Sequence, residues 1–272
     1  MKQARSADGT SLAYETVGEG PALVLVDGAF CGRTFGPARE LAERLAPRMR
    51  VTFYDRRGRG GSEDTQSYTP EREVEDLKAI CRAVGGQPKV FGTSSGAALV
   101  LRAAAAGVCE SEVVVFEPPF YLDGTHQPTP ADFRERIAAH LEAGRRDAAV
   151  KLFLRVVGVP GFGVFMMRLF PNIWPKLRAA AHTLPYDFGV MGDTQRGEAL
   201  PEEWLALLAR ISGRSKVLVG GKSPDWMRHT CETVAAKVSG ASLGVIPGQT
   251  HTISAKALAP VLCDEFLGGA HG

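Results

Sequence analysis

Short, continuously apolar runs alternate along this chain with longer amphipathic stretches, and that alternation restricts the fold more than any other feature. The runs are Ala22–Asp27, Val51–Asp55, Lys89–Gly92, Glu112–Glu117, Lys216–Gly220 and Ser242–Ile246. A strand with no polar face has to be buried on both faces, as in the interior of a parallel sheet. Helical stretches stand between the runs: Glu71–Val84, Ser95–Gly107, Trp226–Val238 and Lys256–Leu267. In the first of these, Val74, Leu77, Ile80, Cys81 and Val84 share one stripe, and Thr69-Pro70 is a start signal. Residues 2–6 and 11–17 read as an antiparallel hairpin about Asp8-Gly9. Strand and helix in alternation predict an α/β fold, a doubly wound, mostly parallel sheet with helices on both faces.

The rhythm breaks between Pro118 and Ser215, where no convincing strand occurs. Helical patterns (Pro130–Gly144, Arg146–Val157, Pro201–Ile211) and the turn signal Val159-Pro160-Gly161 fill the interval. It is rich in large apolar groups, among them Phe153, Phe162, Phe165, Met166, Met167, Phe170 and Trp174. This predicts a core domain of residues 1–118 and 215–272 with a helical cap, residues 119–214, inserted after the sixth strand. An apolar cap over a polar floor makes a mostly apolar pocket with a few directing groups. Phe30, Met166, Phe170 and Trp174 are the expected apolar lining.

Composition excludes several other classes. Thirty-two basic and 30 acidic residues leave a net charge of +2, too balanced for a nucleic-acid partner. The basic run Arg56, Arg57, Arg59 is short and glycine-interrupted, and reads as a solvated turn. Five widely spaced cysteines without a CxxC signal neither zinc nor a redox pair. No metal or organic cofactor is expected. The N-terminus lacks an apolar leader segment and no stretch is long enough for a membrane span, so a cytoplasmic protein with no membrane partner is expected.

Gly92-Thr93-Ser94-Ser95-Gly96 matches G-x-S-x-G, and its setting carries more weight than the pattern. It follows an apolar strand and opens a helix, so a sharp turn would lift the Ser94 side chain above the sheet. The helix N-terminus then offers N–H groups where an oxyanion forms. The bland alternative is a glycine-serine loop capping a helix. Of the six histidines, only His251 lies in a loop after the last strand, where a base for Ser94 is needed. His229 falls on a helix face, His271 in the tail, and His126, His140 and His182 in the cap; these read as surface or packing, with His182 a candidate for the pocket. The loop Asp27-Gly28-Ala29-Phe30-Cys31-Gly32 stands at the position of a second oxyanion donor, supplied by the N–H of Gly28 or Ala29 beside that of Ser95. A carboxylate aimed into that hole would repel the developing charge. Asp27 should therefore turn away into loop-fixing hydrogen bonds or hold a polar group of the substrate.

These residues resemble an α/β-hydrolase of the capped esterase–lactonase kind over nearly the whole chain. Tyr54-Asp55-Arg56-Arg57-Gly58-Arg59-Gly60-Gly61-Ser62 is similar to the turn after the fourth strand in that fold. The set Asp27-Gly28, Gly92-Thr93-Ser94-Ser95-Gly96 and Phe116-Glu117-Pro118 is also similar to fungal zearalenone lactonases. The resemblance implies a catalytic acid, commonly an aspartate after the seventh strand. Here that segment is Gly220-Gly221-Lys222-Ser223-Pro224-Asp225, with a neutral Ser223 at the expected position. Some relatives carry the acid after the sixth strand, where Glu117 stands. A carboxylate ending an apolar strand is costly to bury unpaired, and His251 would be its partner. Glu117 is thus the favoured acid, ahead of Asp225 and Asp193. The implied activity is hydrolysis of a small or medium apolar ester or lactone by Ser94, Glu117 and His251 through an acyl-enzyme. Carbon–carbon bond hydrolysis, perhydrolysis and a receptor-like binding role remain alternatives on the same residues. The exposed apolar groups of Phe162–Phe170 would also serve a homodimer contact.

Overall fold

The computed structural model describes residues 1–65, 67–85, 87–109 and 111–268. Its centre is an eight-stranded sheet of order β1-β2-β4-β3-β5-β6-β7-β8. The strands are β1 (Lys2–Arg5), β2 (Ser11–Val17), β3 (Ala22–Val26), β4 (Arg50–Tyr54), β5 (Lys89–Thr93), β6 (Glu112–Phe116), β7 (Arg214–Gly220) and β8 (Ser242–Ile246). β1 and β2 form the antiparallel hairpin expected from the sequence, and β2 pairs antiparallel with β4. From β4 to β8 every pairing is parallel.

The inner strands are apolar in both directions because each face meets helices. Val24, Val26, Val113 and Val115 pack into one cluster with α2 (Pro70–Val84), α3 (Ser95–Ala105) and α10 (Asp225–Lys237). Leu23, Leu25, Val114 and Phe116 pack into a second cluster with α1 (Ala38–Leu45) and α11 (Ala255–Leu267). Period-2 alternation sends successive residues to opposite faces, and burial of each such side chain contributes about 1.5–3 kcal/mol. α1 was not expected. Its stripe of Leu41, Ala42 and Leu45 is short, and it follows Gly36-Pro37, which reads as a turn.

Between β6 and β7 the described chain forms α4 (Phe133–Glu142), α5 (Arg146–Val156), α6 (Gly161–Leu169), α7 (Trp174–Ala180), a 3-10 turn (Ala181–Thr183), α8 (Leu184–Met191) and α9 (Glu202–Ala209). The last two dock firmly on α3. From α3, Arg102 Nε donates to Val190 O of α8 at 2.6 Å and Arg102 Nη1 donates to Glu203 Oε1 of α9 at 2.9 Å.

The Arg56–Arg59 turn is not solvated. Arg56, Arg57 and Arg59 are 1%, 1% and 3% exposed. Arg57 pairs with Asp76 at 2.7 Å and Asp8 at 3.0 Å, and Arg56 pairs with Glu73 at 2.6 Å. Buried acids on α2, Glu73 for Arg56 and Asp76 for Arg57, supply the charge that makes burial of those two guanidiniums tolerable, and Asp187 on α8 does so for Arg59.

Candidate active site

All the loops that matter follow the carboxyl ends of parallel strands, so the sheet gathers them along one edge. Ser94 closes β5 and opens α3 with φ 55° and ψ −129°, a left-handed backbone that few side chains adopt. The turn is tight: a Cβ on Gly28 would lie 2.8 Å from Ser94 Cβ, and one on Gly96 would lie 2.3 Å from Val26 O. Only glycine lets the β3 loop and α3 approach this closely.

Ser94, His251 and Glu117 are brought together. His251 Nε2 is 3.2 Å from Ser94 Oγ, and His251 Nδ1 is 2.8 Å from Glu117 Oε2. A carboxylate oxygen can only accept, so the proton of that second contact sits on Nδ1 and Nε2 turns its lone pair to the serine. Glu117 is fully buried and has φ 48°, also left-handed. Its backbone N–H donates to Leu218 O at 3.2 Å, one further bond of the parallel pairing between β6 and β7. Its other oxygen, Oε1, accepts from Gly220 N–H at 2.7 Å and from Ser223 Oγ. Ser223, which stands where the sequence reading expected an acid, therefore donates to a carboxylate that arrives from the end of the neighbouring strand. The other two candidate acids are elsewhere. Asp225 is exposed in the first turn of α10, and Asp193 pairs with Arg134 and Arg196 on the surface.

The peptide joining Gly28 and Ala29 has a fixed direction. Gly28 O accepts from Arg59 Nη1 at 2.7 Å, so in a trans peptide the Ala29 N–H points the opposite way. Ala29 and Ser95 both line the cavity over Ser94. Ser95 Oγ donates to Asp187 Oδ1 at 2.7 Å. Asp187, on α8, also takes Arg59 at 2.8 Å and Arg56 at 2.9 Å. Burial alone would raise its pKa, but the two guanidiniums and Ser95 hold the carboxyl below its usual range. This buried cluster ties the cap to the floor of the site. Sequence reading missed it, although Glu73 and Asp76 inside the apolar stripe of α2 were a signal.

A cavity of about 650 Å³ opens above Ser94 and His251, within the range of about 300–1,000 Å³ usual for small-molecule sites. Its walls come from the cap (Tyr121, Phe153, Val156, Met191) and from Trp226 and Met227 on α10. The expected lining is corrected in part. Asp27, Phe30, Met166, Phe170 and Trp174 do not line it. Phe30 stands behind the wall, edge-on to Phe153 at 5.2 Å. Trp174 bonds Asp147 at 2.8 Å, Met166 is half-buried on α6, and Phe170 is exposed just beyond it. Asp27 turns away from the hole and accepts the N–H of Ala38 at the start of α1. Its Oδ2 has no partner among the described residues. Burial pushes its pKa up to about 7 against the pull of Arg59 and Arg56. His126 does line the cavity, stacked on Trp226 at 4.5 Å, whereas His182 lies near Asp64 at 3.5 Å outside it. His229 pairs with Asp123 at 2.9 Å, and His271 lies outside the described residues. No group of three or more potential metal ligands occurs among the described residues.

The chain matches the model of the alpha/beta hydrolase family over residues 23–261 and belongs to that family. It is similar to an alpha/beta hydrolase from Sphaerobacter thermophilus DSM 20745, with 46% identity, a TM-score of 0.88, and coverage of 97% of this chain and 100% of that one. A hydrolase from Pseudomonas aeruginosa PA01 follows at 25% identity and a TM-score of 0.74, covering 98% of each chain. The enol-lactonase from Burkholderia xenovorans LB400 shares the fold at 17% identity and a TM-score of 0.69, covering 98% of this chain and 100% of that one.

Proposed function

We propose that this hydrolase is a serine esterase or lactonase that cleaves small or medium apolar esters through an acyl-enzyme on Ser94. The observation that carries the reading is the continuous chain of contacts from Ser94 Oγ to His251 Nε2 and from His251 Nδ1 to Glu117 Oε2, opening into a cavity. Ser94 Oγ attacks the carbonyl carbon while His251 takes its proton, and Glu117 stabilises the imidazolium so formed. The carbonyl oxygen becomes an oxyanion between the N–H groups of Ala29 and Ser95. Collapse breaks the carbon–oxygen bond, and His251 returns the proton to the leaving alkoxide. Water, deprotonated by His251, then attacks the acyl carbon, releasing the acid and restoring Ser94. For a lactone, alcohol and acid leave as one hydroxy acid.

Tyr121, Phe153, Val156, Met191, Trp226 and Met227 give the walls enough apolar surface to receive an apolar acyl or ring portion. The test is a panel of aryl esters, alkyl esters and lactones assayed with the parent and with Ser94→Ala. The parent should turn over at least one class. The variant should lose at least about a thousandfold in kcat, as removal of a triad nucleophile does, while melting as the parent does. Parent-like turnover by folded Ser94→Ala would refute the assignment.

A further inference from the structure

α6 turns its apolar stripe away from the molecule. Phe162, Phe165 and Leu169 stand at helical spacing and are 75%, 54% and 60% exposed, whereas Val164 is buried. Val157, just before α6, is exposed too, and it also lines the cavity beside Arg155 and Gly158. The apolar surface thus reaches the wall of the cavity. The same stretch is strongly basic. Between Arg145 and Arg178 the chain carries seven arginines and lysines against one carboxylate, Asp147, in a protein whose net charge is only +2. Asp147 is taken by Arg178 at 3.3 Å and by Trp174. Lys151 and Arg155 have no ion pair among the described residues.

Aromatic and aliphatic groups set among cations suit the headgroup region of a negatively charged bilayer. A second copy of the chain suits the stripe less well. Two such surfaces related by a two-fold axis would place each set of cations opposite its own copy. We propose that α6 and its basic flanks dock on an anionic lipid surface, holding the mouth of the cavity beside the membrane. The sequence predicts no membrane partner because nothing in it could span a bilayer, and no helix among the described residues is long and apolar enough to do so. A helix lying in the interface needs no span. Given the esterase reading, on which this last step rests, the substrates are lipophilic esters drawn from the bilayer.

The test mixes the full chain with vesicles of phosphatidylcholine, or with vesicles in which about a third of the lipid is phosphatidylglycerol, and reads the bound fraction by flotation. Anionic vesicles should bind at least about tenfold more tightly than neutral ones. Arg168→Glu should weaken that binding about fivefold or more, the expected worth of one cation near such a surface. Phe162→Asp with Phe165→Asp should abolish it, with melting temperature and turnover of a short soluble ester unchanged. Ser94→Ala should bind as the parent does, so vesicle binding stands or falls independently of the catalytic reading. Equal binding to both lipids, or undiminished binding by the double variant, overturns the proposal. So does a solution dimer that the double variant splits in the absence of vesicle binding, since it gives the stripe to a second copy.

Discussion

Glu117 reaches His251 because one residue bends. With φ at 48°, it breaks the extended run of β6 and presents its carboxylate to Gly220 at the end of β7 and Ser223 in the loop after it. Ser223 Oγ and Gly220 N–H occupy its second oxygen, leaving the first for the imidazole. Glu117→Gln should lower kcat about ten-thousandfold, the loss seen when a triad acid becomes an amide. Ser223→Ala should cost about ten- to a hundredfold, as loss of an orienting hydrogen bond does. Asp225→Asn should leave kcat unchanged. A larger loss in Asp225→Asn than in Glu117→Gln would move the acid to α10. Asp27 makes a different prediction. From its ordinary value of 3.8 up to about 7 the folded carboxyl keeps its proton while the unfolded one has lost it. The folded state then binds more protons, and stability falls as pH rises through that window. The total is on the order of 4 kcal/mol, at 1.36 kcal/mol per pH unit. Asp27→Asn has no such penalty, so denaturant melts should show it gaining on the parent between pH 4 and pH 8. An equal difference at both pH values would contradict this.

At the scale of elements, the buried joint between cap and core is the Asp187 cluster. α8 carries the carboxylate, and Arg56 and Arg59 come from the turn after β4. Asp187→Asn would leave the buried Arg59 without its carboxylate partner, while Arg56 keeps Glu73, at a cost of about 3–5 kcal/mol. Chemical denaturation measures it, and a loss below about 1 kcal/mol would mean that water or a neighbour compensates. The cluster was hidden in the sequence because its members lie far apart along the chain, and Arg56–Arg59 by itself looks like any basic turn. α4, α5 and α9 were legible as helical stretches, whereas α7 and α8 were hidden for a local reason. Pro175 and Pro185, which read as breakers, stand in the first turns of α7 and α8, where the missing N–H costs nothing. The strands were legible. Runs such as Val113–Phe116 have no polar face, and only burial on both sides accommodates them.

In the whole molecule, Ser94, Glu117 and His251 could be read from the sequence because a parallel sheet delivers the ends of β5, β6 and β8 to one edge. Each of these residues directly follows its strand or lies in the loop after it. The cavity walls could not. Which apolar cap residues face inward depends on how α4–α7 pack on one another and on α8, and no local pattern records that. Met166 and Phe170 look like pocket lining in the sequence, yet they lie outside the cavity. His126 looks like surface, yet it stacks on Trp226 inside the cavity. The central claim is that Ser94 is an activated nucleophile beside a working oxyanion hole. Incubation with a small fluorophosphonate, followed by intact mass and peptide mapping, tests it most directly. One stoichiometric adduct should form, on Ser94, and far more slowly in Glu117→Gln. A folded protein that takes no adduct, or takes it on another residue, would contradict it.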